Sequence, residues 1–186
     1  MTQTTADSRA YEELLPWLPD RIADCHVHIG LPEFVGEIAP ERSELIWAME
    51  IAKSQSWEEH AAAQRRLFPK QQVYSLAFGW VYREVDIPAN NEYVLRGVLE
   101  PSNLSNGLLV SRPEWDAEQI ESAMEKGFIG IKPYPDLAPR GQECSIYDFL
   151  PHSHLKVVDR RGGIVMLHLP RKGRIGDPEN IRELLE

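Results

Sequence analysis

The segment Asp24-Cys25-His26-Val27-His28 holds the side chains best suited to chemistry. On a β-strand, residues two apart leave the same face, so His26 and His28 point together, and two adjacent imidazoles chelate a divalent metal. The run 21–28 (RIADCHVH) has strand character, and the pair falls at its C-terminal end, where a parallel sheet or barrel has its mouth. A third imidazole, His168, ends the apolar run 163–169, and Lys132 stands near the end of the run 128–134. A lone strand-end histidine is more often structural than ligating. Four such groups at the ends of three otherwise apolar runs favour a metal or catalytic site.

Three neutral imidazole nitrogens suit Zn²⁺ at roughly 2.0–2.1 Å and leave a position for water; Mn²⁺, Fe²⁺ or Co²⁺ accept the same ligands. Such an ion brings the pKa of bound water toward roughly 7 and polarises a carbonyl. Lys132 is the candidate catalytic side chain. Asp24, read as sharing the inward face two residues deeper, is placed to support a ligating histidine. Asp136, in the loop after Lys132, either reaches the mouth or serves as a turn residue beside Pro135. Candidate substrate contacts are Arg112, which ends the run 107–112, Tyr134, and Arg171 in the basic loop 170–174; the arginines would favour a carboxylate-bearing small molecule. His152 and His154 lie in a helical stretch, where positions two apart are about 200° around the axis and cannot share an ion. They are assigned to surface or packing roles, as is His60 in WEEHAAAQRR.

The elements that must hold these groups alternate in type. Short β-forming runs at 21–28, 73–80, 107–112, 128–134 and 163–169 are separated by helix-period stretches, the pattern of βα units feeding a parallel sheet. Ser56 with Glu59 and Asp116 with Gln119 have capping-box spacing. Pro151 opens a helix that stops at Gly162-Gly163, and Asp177-Pro178 opens another. Residues 1–20 are expected to be a tail or capping helix, and 21–186 one domain. The stretch 29–55 reads equally as a lid or as an ordinary loop and helix.

The 186 residues carry 20 basic and 29 acidic side chains, a formal charge of −9 that opposes nucleic-acid binding. Two cysteines, 25 and 144, form neither a disulfide framework nor a CxxC motif, which fits a reducing cytoplasm. Residues 1–20 lack the basic-then-apolar pattern of a secretory leader and no apolar stretch reaches membrane-spanning length, so neither export nor a membrane partner is expected.

The segments ADCHVHIG, GFIGIKPYP and GGIVMLHLPRKGR, in this order, resemble the amidohydrolase superfamily, and within it the amidohydrolase-related branch of metal-dependent TIM-barrel hydrolases and decarboxylases. The resemblance runs from about Arg21 to Glu186. It implies a (β/α)8-type barrel with its first five βα units present, His26 and His28 as first-strand ligands, and His168 as the fifth-strand ligand. Lys132 falls where two-metal members carry a carboxylated lysine. The family also uses a histidine after strand six and an aspartate after strand eight, which this sequence does not contain. It is therefore expected to be the N-terminal part of a longer enzyme, or to meet a partner that supplies the rest, with exposed sheet edges prone to self-association. The activity implied is hydrolysis of a C–N or C–O bond by metal-activated water. The alternatives are decarboxylation in the same family, another TIM-like metal enzyme such as a PHP phosphoesterase or TatD-type nuclease, or a non-catalytic fragment or partner subunit.

Overall fold

In a computed structural model, the described residues are 9, 12–43, 46, 52, 54–141, 144–169 and 178–185. Five strands form one parallel sheet in sequence order: β1 (Arg21–His28), β2 (Gln72–Phe78), β3 (Asn106–Ser111), β4 (Phe128–Pro133) and β5 (Ile164–Val165). The helices are α1 (Pro40–Ser43), α2 (Trp57–Leu67), α3 (Ile87–Val98), α4 (Ala117–Lys126), α5 (Ile146–Phe149), α6 (His152–Arg160) and α7 (Pro178–Leu185). Strand and helix alternate as the sequence pattern requires, giving an α/β fold whose sheet curls like part of a barrel. Before β1, Leu15–Trp17 is a 3-10 turn. Among the described residues no helix is long and apolar enough to cross a membrane.

Local chemistry fixes the helix starts. Ser56 and Glu59 form a reciprocal capping box at α2, and Asp116 and Gln119 form one at α4. Each cap satisfies two amides that the first helical turn leaves without partners. Asp86 caps α3 by accepting from the Ala89 amide, a helix start that the spacing rules applied to the sequence did not single out.

Two irregularities decide which way the functional side chains face. Between β1 and β2 the register shifts from Asp24↔Ser75 to Val27↔Ala77, so three steps on β1 answer two on β2. The extra residue is a β-bulge. It leaves Asp24 beside Ser75 on the helix-covered face and turns His28, paired with Phe78, to the opposite face. β4 repeats the device, because Gly107 pairs with Phe128 but Leu109 with Ile131. Strict alternation from Phe128 would point Lys132 at the helices; the bulge turns it inward. Gly130 sits in this irregularity, where an added Cβ would lie 2.0 Å from the Ile164 carbonyl oxygen, so only glycine permits β5 to approach.

β5 is shorter than the run 163–169 expected from sequence. The Met166 amide still donates to the Ile131 carbonyl. The next rung would need the amide of Pro133, which has no hydrogen to donate. His168 consequently lies beyond the strand rather than on its last residue.

The outer face of the sheet, with Ala77, Leu109, Phe128 and Ile131, packs with Val94 of α3, Ile120 of α4 and Val157 of α6. The inner face carries Phe78, Leu108 and Val110, all fully buried. Phe34, Val35, Ile38, Ile46 and Ala52, from the long segment after β1, join their cluster. Burying each large apolar side chain contributes roughly 1.5–3 kcal/mol, enough to hold this segment inward. β1 and β5 are the sheet edges among the described residues.

Candidate functional site

The ring of Phe78, at the end of β2, is the hub of the site. Its centroid lies 5.0 Å from that of His26, 4.6 Å from that of His28 and 5.2 Å from the Lys132 Nζ. The His26 and His28 ring centroids are themselves 5.4 Å apart. Tyr134, just past β4, lies 5.7 Å from Lys132 Nζ and places its ring 4.4 Å from that of His168. The inner ends of β1, β2 and β4 and the segment after β5 therefore bring together His26, His28, Lys132, Tyr134 and His168.

His28 is held from three sides. Its Nδ1 lies 3.0 Å from the Gly79 carbonyl oxygen, which only accepts, so Nδ1 carries the proton and Nε2 keeps its lone pair. Trp80 stacks on the imidazole with 13° between the planes and 5.5 Å between centroids. Trp80 in turn lies against Gly30, where a Cβ would come within 2.0 Å of the indole nitrogen, so any larger residue would displace the indole.

The electrostatics keep these nitrogens available. Burial is the main cause that pushes His28 down to about 4, with His26, Lys132 and His168 adding to the depression and the Gly79 hydrogen bond opposing it. His26 is lowered by burial and by Lys132, and the nearby Asp24 acts the other way. Lys132 is only 1% exposed, and burial brings its ammonium down to about 8. Its ammonium faces the rings of Phe78 and Tyr134, which attract a cation but neutralise nothing.

The remaining expected site residues lie elsewhere or make other bonds. Asp24 lies on the outer side of the bulge, where its Oδ1 accepts from the His26 backbone amide at 3.2 Å. Arg112 lies past β3 with its Nε 3.1 Å from Glu114 Oε1. Arg171 lies outside the described residues. Asp136 is neither free nor an ordinary turn residue, since its two oxygens accept from Arg42 at 2.9 and 2.6 Å.

The other histidines have packing partners. His60 bonds the buried Ser75 hydroxyl at 2.9 Å, His154 donates to the Trp115 carbonyl at 2.8 Å, and His152 stacks on Tyr147.

The aromatic wall of Phe78, Trp80 and Tyr82 was missed by sequence reasoning, although a signal for it existed. Residues 78, 80 and 82 alternate at the end of a strand, the same two-residue spacing that singled out His26 and His28. Tyr82 stands edge-on to Tyr134 with centroids 6.1 Å apart, closing the wall on that side.

The donor set agrees with a divalent metal in kind. Two imidazoles sharing a tetrahedral ion at roughly 2.0–2.1 Å would have ring centroids about 5 Å apart, near the separation of His26 and His28. Among the described residues, however, no three His, Cys, Asp or Glu side chains are grouped closely enough to hold an ion. His168 comes near enough for its charge to depress His28, yet its ring packs on Tyr134.

No family model matches the sequence, and no curated protein matches it. Among solved structures, the chain is similar to the apo crystal structure of ATU3138 from Agrobacterium tumefaciens, at 15% identity and a TM-score of 0.43. The similarity covers 78% of this chain and 45% of that one, so the chain spans less than half the length of that protein.

Proposed function

We propose that this chain carries part of the active site of a metal-dependent hydrolase of the amidohydrolase-related, TIM-barrel type, acting on a C–N or C–O bond of a small carboxylate-bearing substrate in the cytoplasm. The observation that carries this reading is the convergence of His26, His28 and Lys132 on the Phe78 ring, with His168 alongside. His26 and His28 would hold the ion, zinc first and Mn²⁺, Fe²⁺ or Co²⁺ as alternatives, and His168 would join them only by leaving its packing on Tyr134. When bound, it would supply Lewis acidity and lower the pKa of water.

The protein's own groups do the rest. His28 offers Nε2 because Gly79 fixes its tautomer, and Trp80 keeps the ring from turning. Lys132, poised near its own titration and screened from water, binds the substrate carboxylate and holds or releases a proton at Nζ. Phe78, Trp80, Tyr82 and Tyr134 exclude water around it.

One observation favours the decarboxylase reading. Among the described residues, the two carboxylates nearest in sequence to the cluster are engaged elsewhere, Asp24 with a backbone amide and Asp136 with Arg42. A hydrolase needs a base to prepare water, whereas a decarboxylase needs chiefly a cation and a held carboxylate. Incubating the metal-supplemented protein with a panel of carboxylate-bearing amides, esters and aromatic acids in H₂¹⁸O separates the two. Incorporation of ¹⁸O into the product supports hydrolysis, carbon dioxide release without it supports decarboxylation, and turnover of none of them by the supplemented protein counts against both.

A further inference from the structure

Arg42, on the short helix α1, is held by two carboxylates at once. Its Nε and Nη2 donate to the two oxygens of Glu84 at 2.6 and 3.0 Å, while Nη1 and Nη2 donate to the two oxygens of Asp136 at 2.9 and 2.6 Å. The Arg83 amide adds a bond to Asp136 Oδ2 at 3.2 Å, and the Arg83 guanidinium lies 3.5 Å from Oδ1. The Arg42, Glu84 and Asp136 side chains are 15%, 11% and 4% exposed. Two bidentate pairs on one guanidinium therefore operate where water screens them little.

The three partners come from three loops at the mouth of the sheet: after β1 (Arg42), after β2 (Glu84) and after β4 (Asp136). Asp136 is two residues from Tyr134 and four from Lys132. A second anchor fastens the same segment a few residues earlier. The Gly36 amide donates to the Glu84 carbonyl, the Asp86 amide donates to the Phe34 carbonyl, and Val35 bridges Val85. Phe34, Val35, Ile38 and Ile46 then join Phe78 and Trp80 in the inner cluster.

We propose that residues 31–43 form a strap latched by Arg42 across the mouth of the sheet, and that parting Arg42 from Glu84 and Asp136 is the step that opens the Lys132 side of the site to a ligand. The backbone bonds at 34–36 act as the hinge. The ion cluster is the part that parts, because charged side chains regain full hydration in water whereas backbone groups exchange one partner for another. The strap rests on the proposed function only in taking the Lys132 cluster as the site.

The test needs neither metal nor turnover. Acetylation of Lys132 by an N-hydroxysuccinimide ester, read by peptide mass against the exposed Lys70 of the same molecule, measures opening directly. Arg42→Met removes the latch, Glu84→Gln weakens it, and amide exchange at Val110 in β3, whose amide is bonded to buried Asn91, reports on the core. The expected result is a rise of about tenfold or more in the Lys132 to Lys70 ratio for Arg42→Met, because the change leaves two buried carboxylates without their partner. Glu84→Gln is expected to give a smaller rise, with Val110 protection kept in at least this milder variant. A ratio within twofold of the wild type in both variants overturns the latch. So does loss of Val110 protection in both, because the cluster would then be part of the core rather than a gate.

Discussion

Replacing His28 by asparagine should flatten the acid side of the stability profile. In the folded chain the imidazole is brought down from 6.5 to about 4, chiefly by burial, so it stays neutral while the unfolded chain takes up a proton. The sign follows from linkage: a depressed histidine costs nothing above its unfolded pKa, and stability is lost as pH falls below it until the folded pKa is reached. The loss is about 1.4 kcal/mol at pH 5.5 and about 2.6 kcal/mol at pH 4.5, approaching about 3.4 kcal/mol at lower pH. Asparagine still donates to the Gly79 carbonyl but does not titrate. Urea unfolding of both proteins at pH 7.5, 5.5 and 4.5, with chelator present, gives two curves whose separation changes by these amounts. Carboxylates titrate in both and cancel in the difference. Curves that stay parallel within about 0.5 kcal/mol would show that His28 protonates freely in the folded state, refuting the half-buried, Gly79-bonded imidazole.

Lys132→Met should stabilise the protein by up to about 3 kcal/mol at pH 7, because burial lowers the lysine from 10.5 to about 8. The advantage should shrink as pH rises from 8 to 10.5, and a pH-independent gap would rule out the charge as its cause. Gly130→Ala forces a Cβ against the Ile164 backbone and should cost about 1–3 kcal/mol or more. The Met166 amide should lose exchange protection while the Val110 amide keeps it, and retained protection at both would refute the close approach of β5.

The strand order and helix starts were legible because they rest on short-range chemistry. Ser56 with Glu59 and Asp116 with Gln119 cap the helices that their spacing announced. Strand alternation also put His26 and His28 together at a strand end. It failed for Asp24, because a bulge between Asp24 and Val27 inserts a residue that no local pattern marks, and the carboxylate falls on the other side. The same effect worked in favour of Lys132, whose inward direction depends on the bulge at Gly130. The apolar run continues through 169 and so presents His168 as a strand residue. Pairing stops earlier at Pro133, which belongs to a different strand, so the limit cannot be seen in the run itself. The Arg42 cluster was invisible for a related reason. Its members are 42 and 94 positions apart in sequence, and only the folded sheet brings their loops to one end.

Metal binding by His26 and His28 is open to direct measurement. Purified protein and the His26→Ala/His28→Ala double variant, each loaded with Zn²⁺ and freed of excess by gel filtration, would be compared for bound metal by elemental analysis, with far-ultraviolet dichroism confirming that both are folded. A stoichiometric ion is expected in the wild type and its loss in the variant. Equal metal in the two proteins, or none in either, would contradict this.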